Sequence, residues 1–387
     1  MSFPSRTHQI CLVSEQTLPN YLGAVMPGAS PKKLHLIVTP SMRDRADILE
    51  QALRCKQYDV EQYQLAQPLP NEMMEVLDAV RQKTGTDMAV NVTGGTKIMA
   101  LAAVEWASIQ DEPPFLFYVD TAEKKVWQIG GRNEQFDLKI SLKIKDLLKA
   151  GAGADILSVD STNLGQEIRD ALQELVRVFL KNRLALELFN KCAKEAQSSL
   201  YADMPHGCIP GFGQALAIAQ EVGKLEVASD RILYASQEAR IWCNGGWLED
   251  LVKARLYKMK GDGIIDDWAS NVEVFKANRL TAKGQKKDLS PQNELDAVFT
   301  ESGRLFLLEC KTANLAKRGG FSAATYKIDS LRKSLGGVFA QGMIVSVLEP
   351  RPVDVRRCAE LHIELLCCRD VLTFEERIKR WIQYVKS

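Results

Sequence analysis

The stretch 294-ELDAVFTESGRLFLLECKT-312 sets Asp296, Glu309 and Lys311 near the ends of two short apolar segments. In 294-ELDAVF-299, alternation puts Glu294 and Asp296 on one face of a strand and Leu295 and Ala297 on the other. In 305-LFLLECK-311, Glu309 and Lys311 likewise share a face, and the tight turn at 301-ESGR-304 makes the two strands antiparallel neighbours. The three side chains then converge at a sheet edge. Two carboxylates and a main-chain carbonyl are a hard-oxygen donor set for Mg2+ or Mn2+, and a lysine beside the ion can orient or deprotonate a water. The competing account is a surface ion pair, but an isolated exposed pair contributes little and requires no apolar strands around it.

The elements around this pair read in a definite order. A helix at 245-GGWLEDLVKARLYKM-259 is followed by a strand at 271-NVEVF-275, a basic loop, the two strands above, a helix, a strand at 342-GMIVSV-347, a helix, a strand at 362-HIELL-366 and a last helix. Trp247 reads as core. The basic segment 276-KANRLTAKGQKKD-288, with Lys327, Arg332 and Lys333, either tracks a phosphate backbone or is a solvated charged face.

The first third alternates strands at 9-QICLV-13, 34-LHLIVT-39, 88-MAVNVT-93 and 115-FLFYV-119 with amphipathic stretches near 43–57, 70–83 and 96–109. That is a doubly wound, Rossmann-like α/β sheet. Ligands of such sheets bind beyond the carboxyl ends of the strands. The candidate contacts are therefore Ser14 and Glu15, Thr39, Pro40 and Ser41, Thr93, Gly94, Gly95, Thr96 and Lys97, and Asp120 and Thr121. In 93-TGGTK-97 two glycines precede a helix that Thr96 can cap, so backbone amides and Lys97 make an anion site; alternatively the glycines only let helix and sheet approach closely. The loop lacks the GxxxxGK[ST] order of a Walker A loop, and the first strand runs into SEQT, not GxGxxG.

Between these regions, 150-AGAGADILSVDSTN-163 reads as a linker and 164–199 as helical, with a helix near 213–222 and a short hairpin in 224-KLEVASDRILYAS-236. This mainly helical segment is either a packing spacer or a winged-helix-like module. Three parts follow: 1–148, 149–236 and 237–387. A length of 387 residues suits two or three domains. With 46% hydrophobic and 26% charged residues and no bilayer-length apolar run, the chain reads as soluble, with no membrane partner. Nine scattered cysteines without a CxxC pair suit a reducing cytoplasm, not disulfides or structural zinc. A net charge of +1 neither requires nor excludes nucleic acid, since a groove needs only local positive potential.

The E-x-K at Glu309-Cys310-Lys311, preceded by Asp296, resembles the PD-(D/E)XK nuclease core. Glu249 resembles the additional acid that many members carry on the preceding helix. With 91-NVTGGTKIMA-100 in the first third, the chain resembles the CARF-domain effector nucleases of type III CRISPR defence, in the group called CARF-associated deoxyribonucleases. The resemblance implies an N-terminal CARF domain that binds a cyclic oligoadenylate, in particular the tetra-adenylate, across a homodimer. It also implies a C-terminal restriction-endonuclease-like domain in which Asp296, Glu309, Glu249 and the Cys310 carbonyl hold Mn2+ or Mg2+ while Lys311, with Glu294 nearby, serves catalysis. The nucleic-acid substrate would be ssDNA, ssRNA or plasmid DNA. A transcription regulator with an inactive nuclease-like domain, or a ring nuclease that degrades the cyclic activator, stay open.

Overall fold

The computed structural model describes residues 3–132, 134–207, 209–276, 293–312 and 320–386. The first unit runs β1 (His8–Leu12), α1 (Leu18–Val25), β2 (Lys33–Val38), α2 (Arg43–Arg54), β3 (Asp59–Gln64), α3 (Pro70–Thr84), β4 (Met88–Asn91), α4 (Lys97–Ser108), β5 (Phe115–Asp120), β6 (Lys125–Gln128), β7 (Gln135–Asp137) and α5 (Ile144–Ala152). Its sheet has the order β3-β2-β1-β4-β5-β6-β7, parallel as far as β5 and antiparallel beyond. Alternation sends Ile10 and Leu12 to a core shared with α3 and α4, through Leu77, Met99 and Trp106. Cys11 and Val13 point the other way, to a core with Leu22, Leu49 and Leu148. The strand order reverses between β1 and β4, so the crevice expected of a doubly wound sheet opens between the loops after these two strands.

The segment read as a linker folds differently. After Gly153 ends α5 in a left-handed conformation, β8 (Ala154–Asp160) pairs antiparallel with a strand of the second sheet. Its sequence misleads because it is an edge strand whose outward residues Leu157 and Val159 stay exposed, so no buried apolar run marks it. Next come α6 (Gln166–Lys181), α7 (Arg183–Glu195), β9 (Tyr201–Asp203), α8 (Phe212–Glu221), β10 (Leu225–Val227), β11 (Arg231–Tyr234) and α9 (Gln237–Ile241). The helical run expected over 164–199 is interrupted at Asn182, and the three short strands form an antiparallel sheet β10-β11-β9.

The last unit comprises α10 (Trp247–Gly261), β12 (Asp267–Lys276), β13 (Asn293–Glu301), β14 (Arg304–Lys311), α11 (Gly320–Leu335), β15 (Ala340–Ser346), α12 (Pro352–Glu360), β16 (Ile363–Cys367) and α13 (Phe374–Lys386). Its six-stranded sheet has the order β16-β15-β14-β13-β12-β8. Ser302 and Gly303, both at positive φ (51° and 76°), make the two-residue turn that joins β13 to β14. Phe299 and Phe306 stack across these strands with ring centroids 4.5 Å apart, and Trp381 of α13 packs edge-on against Phe306. By alternation this aromatic layer lies on the face opposite Asp296 and Glu309.

The two large units are tied directly. The Thr300 hydroxyl donates to the Leu142 carbonyl (2.7 Å), and the Ile144 amide donates to an Asp267 carboxylate oxygen (3.0 Å). The buried Lys253 of α10 binds Asp160 at the end of β8 and the Thr162 hydroxyl (2.9 Å). Among the described residues no helix is long and apolar enough to cross a membrane.

Candidate functional site

The register pairs Ala297 with Leu308, so the next pair along the strands is Asp296 with Glu309. The Cys310 amide donates to Asp296 Oδ2 (2.7 Å), which fixes this carboxylate against β14. Glu309 is nearly sealed, with its side chain 2% exposed, and each of its oxygens meets an ammonium. Lys311 Nζ lies 2.7 Å from Oε1, and Lys327 Nζ, from α11, lies 2.7 Å from Oε2 and 3.6 Å from Asp296 Oδ1.

Burial pushes the Asp296 carboxyl above its ordinary range, and the charge of Glu309 adds to it, against the pull of Lys311, Lys327 and the Cys310 amide. Burial also drives Glu249 on α10 up, to about 7, with the charge of Asp296 as the next cause. For Lys311 burial acts downward, but Glu309 and Asp296 outweigh it and hold the ammonium above its usual range. Lys311 therefore carries its proton at neutral pH, which suits it to donate to or neutralise an anion and not to act as a base.

Of the sequence-expected acids, the strands bring Asp296 and Glu309 together. Glu249, on α10, lies near enough for its carboxyl and that of Asp296 to repel each other. Among the described residues no three His, Cys, Asp or Glu side chains stand close enough to hold an ion. Two ammonium groups, not a third carboxylate, flank Glu309. Glu294 sits at the exposed start of β13, opposite Glu273, and its charge acts on Glu249. Two crowded carboxylates and a neighbouring main-chain carbonyl still suit one hard divalent ion completed by water, because a cation offsets both the burial and the repulsion from Glu309 that lift Asp296.

The sequence marks Lys327 as a backbone-tracking charge or part of a solvated face, and no spacing in it shows that α11 folds this lysine onto the acids. Arg332 and Lys333, read in the same way, both bind Asp329 (3.0 and 2.7 Å). Beyond Lys276, the basic segment 276–288 lies outside the described residues.

At the other end of the chain, β4 stops at Asn91, whose buried side chain organises the loop after it. Asn91 Oδ1 accepts from the Thr93 amide (3.0 Å) and hydroxyl (2.6 Å), and the Thr93 hydroxyl oxygen accepts from the Val119 amide (2.7 Å). Gly94 is pressed on the end of β1: a Cβ there would stand 2.0 Å from the Leu12 carbonyl oxygen. Asn20 Nδ2 donates to that same oxygen (2.7 Å). Gly95 takes a positive φ of 72° and Thr96 caps α4, its hydroxyl accepting from the Met99 amide (3.2 Å). Lys97 is exposed, and among the described residues no ion pair takes its ammonium. The close approach is thus realised at Gly94, and α4 begins beside the exposed Lys97, the position an anion site would require.

The remaining loop residues are distributed less evenly. Glu15 pairs with Arg45, and the Thr39 and Ser41 hydroxyls stand 3.3 Å apart at the start of α2, beside exposed Pro40. Ser14 donates to the Gln16 carbonyl (3.1 Å). Asp120 is consumed by its own turn, accepting from the Ala122 and Glu123 amides. Thr121 lines a crevice with Leu22, Ser302 and Gly303, against the β13–β14 turn. The positions that sequence reasoning passed over here are Asn20 and Asn91, polar residues inside otherwise apolar elements.

Residues 9–147 match the family model of the Card1 CARF domain, and residues 236–385 match that of the Card1-like endonuclease domain. A comparison with curated proteins finds no match. Among solved structures, the chain is similar to protein VC1899 from Vibrio cholerae, with a TM-score of 0.82 and 19% identity over 98% of both chains. It is also similar to Can2 from Sulfobacillus thermosulfidooxidans in complex with cyclic tetra-adenylate, with a TM-score of 0.77 and 22% identity over 97% of both chains. A type III CRISPR defence DNA nuclease activated by cyclic oligoadenylate aligns with a TM-score of 0.52 and 18% identity, over 91% of this chain and 47% of that one. At these identities the neighbours establish a shared fold, and the two family matches place a domain at each end of it. The chain thus joins a Card1 CARF domain, over residues 9–147, to a Card1-like endonuclease domain, over residues 236–385.

Proposed function

We propose that the chain is a divalent-metal-dependent endonuclease, switched on by a cyclic oligoadenylate bound at its CARF domain, that acts in CRISPR defence in the reducing cytoplasm. The observation that carries this reading is the opposed pair Asp296 and Glu309 with Lys311 beside them, inside the region matching an endonuclease domain. The likeness to Can2, whose structure contains cyclic tetra-adenylate, supports that ring as the activator. Asp296, Glu309 and the Cys310 carbonyl would hold Mn2+ or Mg2+, which when bound polarises the scissile phosphate and acidifies a water. The chain's own part is to fix the two carboxylates through the β13–β14 register and to hold Lys311 protonated, so that its ammonium steadies the charge gathering on the phosphate oxygens. Water adds to phosphorus as the bond to the leaving sugar oxygen breaks, and that oxygen takes up a proton. Purified protein incubated with Mn2+ and cyclic tetra-adenylate should cut labelled ssDNA, ssRNA or plasmid. Loss of the activator alone would point to a ring nuclease, and no cleavage at all to a binding protein.

The CARF domain should act as a homodimer. Ile98 and Leu101 on α4, the helix that starts at the 93–97 loop, and Ile109 at its C-cap stand 50%, 69% and 70% exposed. Burying this stripe against a second copy would bring two such loops together, and a ring with an even number of identical units can share that two-fold symmetry. Light scattering should report twice 43.2 kDa, and calorimetry half a ring per chain. A monomer binding one ring per chain would refute the shared pocket. Lys97→Ala should weaken activator binding by about tenfold to a hundredfold, the worth of one charge-assisted contact of roughly 1.5–3 kcal/mol, and leave Mn2+ binding unchanged. Unaltered affinity in the same calorimetry would move the phosphate contact elsewhere.

A further inference from the structure

Helix α11 delivers a second lysine to the acids, and its position differs in kind from that of Lys311. Lys311 is carried on the same strand as Glu309 and, among the described residues, forms its ion pair with that carboxylate, whereas Lys327 bridges Glu309 Oε2 and Asp296 Oδ1. Its side chain is 39% exposed, so the ammonium approaches from the open side of the site and can withdraw to water. The acids cannot follow: Asp296 is pinned by the Cys310 amide, and Glu309 is buried. A monovalent group on a flexible stem thus uses the oxygens that a divalent ion would need, and two cations at that spacing repel strongly even at an effective dielectric near 20.

We propose that Lys327 is a positioning residue that sets the metal affinity of the endonuclease site: an internal counter-ion that a divalent ion must displace from Asp296 and Glu309. The proposal rests on reading these two acids as metal ligands. Helix α11 also gives the ammonium a mechanical link to the CARF domain. Its far end carries Arg332, Lys333 and Leu335. The first two line a cleft shared with Glu15, Gln16 and Thr17 of the β1–α1 loop, and the Leu335 carbonyl packs against Gly151 of α5. Any sliding of α11 at that end displaces the counter-ion.

The test is Mn2+ titration calorimetry on the full chain without nucleic acid or activator, on the parental protein and on Lys327→Met, Lys327→Gln and Lys327→Arg. Both neutral variants should bind Mn2+ about tenfold or more tightly than the parent, since a repelling unit charge is gone. Lys327→Arg, which restores the charge, should return to within about threefold of the parent. Melting in parallel should show the neutral variants less stable than the parent without metal, because the acids have lost a partner, and gaining more from Mn2+. A role confined to packing would not move metal affinity. Equal or weaker Mn2+ binding by both neutral variants overturns the proposal. Absence of binding by every protein, parent included, overturns the metal-ligand reading itself and the proposal with it.

Discussion

Glu309→Gln should leave a folded protein that binds activator normally and cleaves nucleic acid on the order of a thousandfold more slowly, the several kcal/mol a metal-anchored charge supplies in such sites. The substitution keeps the size and shape of a buried side chain but removes the negative charge that faces Asp296 and meets both lysines. An amide cannot replace a carboxylate toward a hard divalent ion, and its NH2 would oppose the Lys311 ammonium. Lys311→Met should act comparably, because the proposed site depends on an ammonium held protonated beside Glu309. Cleavage should be measured with Mn2+ and activator on labelled strands, with circular dichroism and activator calorimetry as controls for the fold and the first domain. If either purified variant cut at near the parental rate, the assignment of the endonuclease site to this strand pair would be wrong.

Gly94→Ala should abolish the response to activator while sparing metal binding. A methyl group at this position meets the Leu12 carbonyl oxygen at 2.0 Å and Asn20 Nδ2 at 3.0 Å. The first is backbone at the end of a central strand and cannot swing aside, so the loop itself must move. Overpacking costs roughly 1–3 kcal/mol of stability. The larger effect falls on recognition: Thr96, Lys97 and the first amides of α4 are all hung from this contact, and displacement by about 1 Å degrades a positioned site by on the order of a hundredfold. Calorimetry with cyclic tetra-adenylate reads the loss, and Mn2+ titration reads what is spared. Parental affinity in the variant would show that activator binding does not depend on the 93–97 loop.

What the sequence makes legible here depends on how locally each feature is encoded. The acid pair is local: two strands of period two joined by a two-residue turn fix which side chains face each other, so Asp296 and Glu309 could be placed together from spacing alone. The anion loop is local in the same way, since a buried strand, two glycines and a capping threonine stand within a few residues. Strand β3, with the sequence DVEQYQ, gives no such signal because it lies at the edge of its sheet and only Val60 of it is buried. Asn91 is invisible for the opposite reason: its role depends on the Pro19 carbonyl and, through Thr93, on the Val119 amide, both brought in by other parts of the chain. Lys327 is the hardest case. It lies among other basic residues in sequence, and only the packing of α11 across β14 distinguishes it from Arg332 and Lys333, which neutralise a neighbour on their own helix.

The strand β8 also governs how this protein can be taken apart. It follows the first domain in sequence yet hydrogen-bonds along β12 as the outermost strand of the second, and Lys253 locks its end from within. A free-standing nuclease fragment that began anywhere between residues 161 and 237 would lack this strand and expose the long edge of β12 to pairing with other chains. A first domain that retained it would trail an unpartnered strand with Leu157 and Val159 already bare. Grafting a different sensory domain onto this nuclease therefore has to splice upstream of Ala154, so that β8 travels with the catalytic half; a chimera joined downstream should precipitate, whatever the quality of its active site.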